Sequence, residues 1–172
     1  MAEIQSIQGL KELQQALTQL PDRIARNVLR GAVASGAAVI RKEAQARAPV
    51  YTGSVAAGHP PPGTLKRSIV QKQIVEKSSL TQQTFYVTVR KGKKYQKQGK
   101  KGNLSQDAYY AGWVEFGHFA RGTGKKRGRF VAAHPFMRPA FEGKKNAAVV
   151  AIQEYIEKRL PVEVAKLPGA AK

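Results

Sequence analysis

The chain has 172 residues, of which 30 are Lys or Arg and 11 are Asp or Glu, so its formal net charge is +19. This length is typical of one compact domain, and 42% hydrophobic residues indicate a folded chain rather than a disordered one. The absence of cysteine from the sequence excludes disulfides, thiol catalysis and cysteine-ligated zinc, and it fits a reducing compartment. The ten-residue apolar run at residues 31–40 is too short to span a membrane and the first residues lack the basic start of a signal peptide, so we expect a soluble intracellular protein.

Two helices are predicted in the first part of the chain. Residues 9–20 carry leucines at helical spacing, and Pro21 separates them from a second helix over residues 22–48 that Pro49 ends. We predict that the apolar and small stripe of this second helix packs on the domain's own sheet, a seam between subunits being the alternative. The stripe contains Ile24, Val28, Ala32, Ser35 and Val39, widened by Leu29, Gly36 and Ile40.

The middle of the chain is predicted to be extended. Residues 50–64 contain three consecutive prolines, which favour an extended arm and exclude a helix or a central strand. Strands are predicted over residues 65–76 and 84–90, with a hairpin connection at residues 78–83. Residues 109–117 (YYAGWVEFG) are predicted to form a short helix that leads into a strand, and residues 130–133 a last strand.

A C-terminal helix is predicted to begin at Pro139, a good helix-opening residue, and to end at Pro161. Residues 161–172 would then be a flexible tail. The inward stripe of this helix would contain Phe141, Ala148, Ile152, Ile156 and Leu160.

The excess positive charge lies mainly in residues 49–138, which contain 17 basic and three acidic residues. Residues 90–103 carry seven Lys or Arg and no acid, and residues 120–129 carry five and no acid. The positive side chains within each run repel one another, so we expect loops that contact a phosphate backbone or an acidic protein surface. The alternative is that each run is a solvated hairpin tip. The candidate contact residues are Arg90, Lys91, Lys93, Lys94, Lys97, Lys100, Lys101, Arg121, Lys125, Lys126, Arg127 and Arg129.

Convergent catalytic groups are scarce in this sequence. His59, His118 and His134 form no helical metal-ligand pair, and no serine lies in a nucleophile elbow. Lys126 stands where a phosphate loop needs Ser or Thr. Glu115 is a lone carboxylate among aromatics, and we predict that it is a structural anchor for backbone amides or an Arg. We therefore expect no enzyme activity, no metal and no cofactor; a hydrolase that uses His118 or His134 with Glu115 is a remote alternative.

Three segments, in order, resemble a known family. The first is APVYTG at residues 48–53 followed by LKRSI at residues 65–69, the second is YAGWVEFG at residues 110–117, and the third is AHPFMRPA at residues 133–140. Together with the leading GLKEL helix they resemble the neck and tail-completion proteins of long-tailed bacteriophages, also called head–tail joining or minor tail proteins. The chain differs from that pattern by the inserted segment SVAAGHPPPGT at residues 54–64 and by longer basic loops.

The resemblance implies a single α+β domain over residues 1–160, in which a small antiparallel sheet is packed by a long N-terminal helix and a C-terminal helix. The order of the predicted elements agrees with that class. It also implies a non-enzymatic virion protein at the head–tail junction, assembled in the host cytoplasm as a homo-oligomeric ring. A hexamer is favoured, and a dodecamer is the alternative. The implied partners are a head-connector or stopper protein, a tail terminator or tail tube protein and the packaged double-stranded DNA, with no membrane.

The resemblance also assigns packing roles. Core or intersubunit packing is expected for Tyr110, Trp113, Val114 and Phe116, with Glu115 and Gly117 fixing a tight turn. The C-terminal helix would be locked to the sheet by His134, Pro135, Phe136 and Arg138. The alternative function, suggested by the charge of +19 alone, is a general basic nucleic-acid-binding protein.

Overall fold

The computed structural model of the chain describes residues 22–52, 60–92, 95, 107–120 and 128–165. The predicted helix at residues 9–20, residues 53–59 of the arm, most of both basic runs, the side chain of Ile24 and residues 166–172 of the tail lie outside that description. The described elements form an α+β fold with two long helices and two small antiparallel sheets, as the resemblance implied.

Nine elements are described along the chain. They are α1 (Asp22–Arg47), α2 (Thr64–Ser68), β1 (Ile69–Gln73), a 3-10 turn (Val75–Lys77), β2 (Phe85–Val89), α3 (Ala111–Phe116), β3 (His118–Phe119), β4 (Phe130–Val131) and α4 (Met137–Val164).

The small residues of α1 lie against α4, so the prediction that this stripe packs on the domain's own sheet is wrong. Ser35 Oγ donates to the Ala151 carbonyl over 3.0 Å. A Cβ atom on Gly36 would come within 2.9 Å of the Ala148 carbonyl oxygen, so a larger residue there would separate the two helices. The stripe therefore serves a close antiparallel helix pair within one chain.

The hairpin of β1 and β2 is antiparallel, with Ile69 opposite Val89 and Gln73 opposite Phe85. It packs on α1, where Gln71 Nε2 donates to the Ala34 carbonyl over 3.1 Å and Gln45 Nε2 to the Ile69 carbonyl over 2.9 Å. The predicted hairpin is confirmed.

The first predicted strand begins too early, because its opening residues form the short helix α2. Ser68 Oγ donates to the Thr64 carbonyl over 2.7 Å, and Thr64 Oγ1 to the Pro61 carbonyl over 2.6 Å. Leu65 and Ile69, four residues apart, are both buried, which a helical turn permits as well as a strand does. Extended structure starts at Ile69 and ends at Gln73.

Helix α4 differs from its prediction at both ends. It begins at Met137 rather than at Pro139, and it continues through Pro161 to Val164. Pro161 lacks one N–H donor close to the helix end, and the helix continues past it, with the Ala165 N–H donating to the Pro161 carbonyl over 3.0 Å. The tail therefore does not begin at residue 161.

Two buried clusters hold these elements together. The larger one joins the C-terminal end of α1, α2, β1 and the start of α4, and contains Ala44, Ala48, Leu65, Ile69, Ala108, Phe136 and Ala140. The smaller one joins the other ends of the long helices through Val28, Ala32 and Ile156, with Ile152 and Leu160 packed against it. Phe141, predicted to face inward, is half exposed at 50%, because Ala140 occupies the buried position at this turn of α4.

Candidate interaction surface

Helix α3 presents one side to the core and the other to solvent. Tyr110 and Val114 are partly buried against the larger cluster. Trp113 and Phe116 remain 52% and 72% exposed. Of the four residues expected to form core or intersubunit packing, the structure therefore places two against the core and leaves two on the surface.

The carboxylate of Glu115 binds the start of α4. Its Oε2 accepts hydrogen bonds from the N–H groups of Phe136, over 2.8 Å, and Met137, over 3.0 Å, and its Oε1 accepts one from the Arg138 N–H, over 3.0 Å. These N–H groups lack partners inside the helix, and the positive end of the helix dipole attracts an anion. The predicted anchor for backbone amides is confirmed.

The environment of Glu115 favours its charged form. Partial burial by itself would raise the pKa of this carboxyl group, but the hydrogen bonds from Met137, Phe136 and Arg138, together with the Arg138 charge, lower the pKa below its ordinary value. Both carboxylate oxygens are thus engaged by backbone donors, which is typical of a structural anchor rather than a general base.

Gly117 ends α3 in a backbone conformation that favours glycine, with φ at 74°. A Cβ atom there would lie 2.9 Å from both the Phe130 ring and the Val131 carbonyl oxygen. Glycine at this position lets the chain turn sharply from α3 into β3, which pairs with β4. A tight turn was expected at Glu115 and Gly117.

The segment before α4 is tied to α3 as well as to the core. The His134 N–H donates to the Val114 carbonyl over 2.7 Å. Phe136 is fully buried in the cluster that contains Ile69 of β1, whereas the side chains of His134, Pro135 and Arg138 are exposed. Backbone hydrogen bonds and one aromatic ring, rather than all four side chains, thus hold the start of the C-terminal helix.

The first basic run leaves β2 at a base that is closed by hydrogen bonds. Asp107, 2% exposed, accepts from the Gly92 N–H over 2.8 Å, and the Ala108 N–H donates to the Arg90 carbonyl over 3.0 Å. The Arg90 guanidinium lies 5.6 Å from the Tyr95 ring centroid. Arg90 and Lys91 are thus placed by the fold, whereas Lys93, Lys94, Lys97, Lys100 and Lys101 lie outside the description.

The second basic run is carried by the β3–β4 pair. The Ala120 N–H donates to the Arg129 carbonyl over 2.9 Å, and the Phe119 and Phe130 rings pack edge to face with centroids 5.1 Å apart. Arg129 is exposed at this base, whereas Arg121, Lys125, Lys126 and Arg127 lie outside the described residues. Two residues separate Ala108 from α3 and Gly117 separates α3 from β3, so along the chain the two bases are joined mainly by a helix about 9 Å long.

An apolar groove of about 690 Å³ lies beside α3. One wall comes from the two described ends of the proline arm and the other from α3, β3 and β4. Trp113 stacks on His118 within it, with ring centroids 5.4 Å apart. Sequence reasoning did not identify this groove, because Tyr51 and the prolines of the arm meet α3 only in the folded chain.

Metal-holding groups and membrane-spanning helices are two features that the described residues lack. Within them, no three His, Asp or Glu side chains are grouped so that they could hold a metal ion. None of the helices described is long and apolar enough to cross a bilayer. The candidate functional features are therefore on the surface: the exposed aromatic side chains, the apolar groove and the anchored ends of the two basic runs.

Comparison with known proteins identifies one family. Residues 11–117 match the model of the HK97-gp10-like family, bacteriophage tail components named after HK97 gp10. The matched segment includes α1, the β1–β2 hairpin and α3. No curated protein and no solved structure matches the chain at a significant level.

Proposed function

The chain belongs to the HK97-gp10-like family of bacteriophage tail components, and from this premise we propose that it forms a homo-oligomeric ring at the head–tail junction. As a tail component it is a structural protein of the virion. In the proposal the ring surrounds the path of the double-stranded DNA, between a head-connector protein and a tail terminator or tube protein. It performs no enzymatic reaction.

The observation that carries this proposal is the exposed aromatic surface at the bases of the two basic runs. Trp113, Phe116, Phe119 and Phe130 are 52–72% exposed and lie on α3 or on the strands that follow it. Exposed apolar patches of this kind mark contacts between proteins. If a neighbouring subunit or ring covers these aromatic side chains, both basic runs lie at the edge of that contact.

In the proposal the basic runs lie beside the aromatic contact. Along the chain their bases lie before and after α3, so in the proposal both runs extend from the neighbourhood of the aromatic surface. Positive loops beside a protein contact can face DNA in a channel or an acidic patch on a partner ring, since both neutralise the charge.

The aromatic contact is tested with a phage that carries the double variant Trp113→Ala and Phe116→Ala. We expect tailless DNA-filled heads in electron micrographs and a loss of infectious particles, because the contact between subunits or rings is lost. Val150→Ala, which changes an equally exposed apolar residue on α4, is the control and leaves the titre unchanged. Normal assembly of the double variant would refute the aromatic contact.

The basic runs are tested by reversing Arg90, Lys91, Lys93 and Lys94 to Glu. Head–tail joining or DNA retention should fail while circular dichroism shows an intact fold. The control reverses four basic residues of the long helices, Arg26, Arg30, Lys42 and Lys158, and so changes the net charge by the same amount. Equal loss in both variants would show that overall charge matters rather than the loop.

A general nucleic-acid-binding protein is the second candidate, favoured by the charge of +19. Such a protein retains a duplex at moderate salt, and the logarithm of its affinity falls with the logarithm of salt by about 0.9 for each neutralised phosphate. The ring component is expected to elute as an oligomer in light scattering, with weak affinity for DNA that does not depend on its sequence.

A further inference from the structure

The β1–β2 hairpin is a two-stranded sheet, and no other described strand pairs with either of its edges. Two hydrogen bonds flank its ladder, from the Arg90 N–H to the Ser68 carbonyl over 2.9 Å and from the Ile74 N–H to the Thr84 carbonyl over 2.9 Å. Antiparallel pairs alternate between hydrogen-bonded and non-hydrogen-bonded, so the register places the backbone groups of every second residue toward the outside. The residues that point outward are Gln71 and Gln73 on β1 and Phe85, Val87 and Val89 on β2.

Within the part of the chain that the structure describes, the outward backbone groups of these five residues have no hydrogen-bond partner. The register also points the backbone groups of Ile69 outward, but its carbonyl accepts from Gln45 Nε2 over 2.9 Å. Helix α1 covers one face of the hairpin, as the bond from Gln71 Nε2 to the Ala34 carbonyl shows. The edges themselves stay available.

The β2 edge also lacks the usual protection against pairing. Its sequence, FYVTV, contains no charge and no proline, and the register with β1 is continuous, without a bulge. Natural proteins normally protect such edges with Lys, Pro or a bulge. A two-stranded sheet is also marginal by itself, and further strands stabilise it.

We propose that the β2 edge of one copy of this chain pairs antiparallel with the β1 edge of the next copy. One hairpin carries both edges, so the contact repeats from copy to copy and keeps every subunit in the same orientation, as a closed ring requires. Lys72 is the one charged residue of β1 and β2, so this contact brings no two like charges of these strands together, which matters because two chains of charge +19 repel each other. This inference rests on the proposed ring and assigns one of its interfaces.

Cysteine cross-linking tests the contact, because the chain has no cysteine of its own. Thr88 and Lys72 are exposed, and their backbone groups point into their own hairpin. Across the new contact such residues form non-hydrogen-bonded pairs with Cα atoms about 4.5 Å apart, within reach of a disulfide. Thr88→Cys in one copy should therefore cross-link with Lys72→Cys in the next, or with Val70→Cys if the register differs by two residues.

The single variants are co-expressed with different tags, sized by light scattering and then oxidised. The expected result is an oligomer in which the Thr88→Cys chain shifts to a covalent dimer with the Lys72→Cys or Val70→Cys chain, reversed by reductant. Lys42→Cys on the exposed side of α1 replaces the β1 cysteine in the control mixture and should give no such dimer.

Three results would overturn the inference. A covalent dimer from Thr88→Cys alone would show that two β2 edges pair with each other. An oligomer that cross-links in neither mixture would show that the ring uses another surface, while the proposed function stands. A monomer at every concentration would contradict both the edge contact and the proposed ring.

Discussion

Replacing Glu115 by Ala removes the acceptor of three N–H groups at the start of α4. Loss of a helix cap costs about 1–2 kcal/mol, and loss of a charge at a helix N-terminus about 0.3–1 kcal/mol. We therefore expect the free energy of unfolding to fall by about 2 kcal/mol. For a domain of this size each kcal/mol lowers Tm by about 2–4 °C, so the melting temperature should fall by about 4–8 °C.

The pH dependence separates the charge of Glu115 from its packing. Its pKa in the folded chain is lower than in the unfolded chain, so the stabilisation is complete above the unfolded value, near the ordinary 4.5, and is lost as the pH falls through the folded value. Glu115→Gln keeps one acceptor oxygen without the charge and should lose about 1 kcal/mol at neutral pH. The difference between wild type and Glu115→Gln should then disappear in acid.

Urea unfolding followed by circular dichroism at neutral and acidic pH measures both effects. Glu142→Gln is the control, because it removes a carboxylate from the same helix that pairs with Lys145 at the surface, and exposed pairs contribute less than about 1 kcal/mol. A Glu115→Ala protein as stable as wild type at neutral pH, or a difference from Glu115→Gln that persists in acid, would refute the capping argument.

The remaining predictions concern the helix pair and the base of the first basic run. Gly36→Ala should lower stability by about 1–3 kcal/mol in thermal unfolding, because its Cβ would lie 2.8 Å from Ile152 Cγ1. Gly143→Ala, whose Cβ would meet nothing closer than 3.8 Å, should raise stability by about 0.5–1 kcal/mol; equal effects would contradict the close approach at Gly36. Asp107→Asn should cost about 1–3 kcal/mol in urea unfolding, because the buried carboxylate accepts from the Gly92 N–H. Glu76→Gln, at an exposed position, is the control. If both variants lost the same small amount of stability, Asp107 would not anchor the base of the first basic run.

Local rules predicted much of this fold. Pro49 predicts the end of the first long helix, which in the structure ends at Arg47. The alternating apolar residues Phe85, Val87 and Val89 predict a strand, which the structure contains. The role of Glu115 was predictable because a lone carboxylate among aromatics needs donors, and an N-terminus of a helix supplies them.

Features that depend on tertiary contacts were not predictable from local patterns. Leu65 and Ile69 fit a strand and a helical turn equally well, and the bonds of Thr64 to the proline arm decide for the helix. The small residues of α1 predict that another element packs closely against them, but they do not identify that element. In the structure it is α4 rather than the sheet. The apolar groove requires Tyr51 and Trp113 to meet across some sixty residues of chain, which no local pattern encodes.

The bond between Glu115 and α4 has a mechanical consequence. Glu115 lies three residues before β3, so its bonds to the first turn of α4 tie the base of the second basic run to that helix. That helix has 28 residues and is about 42 Å long, and it is braced along its length by α1. The first run instead continues directly from β2 of the small hairpin, so the two basic runs are carried by supports of unequal rigidity.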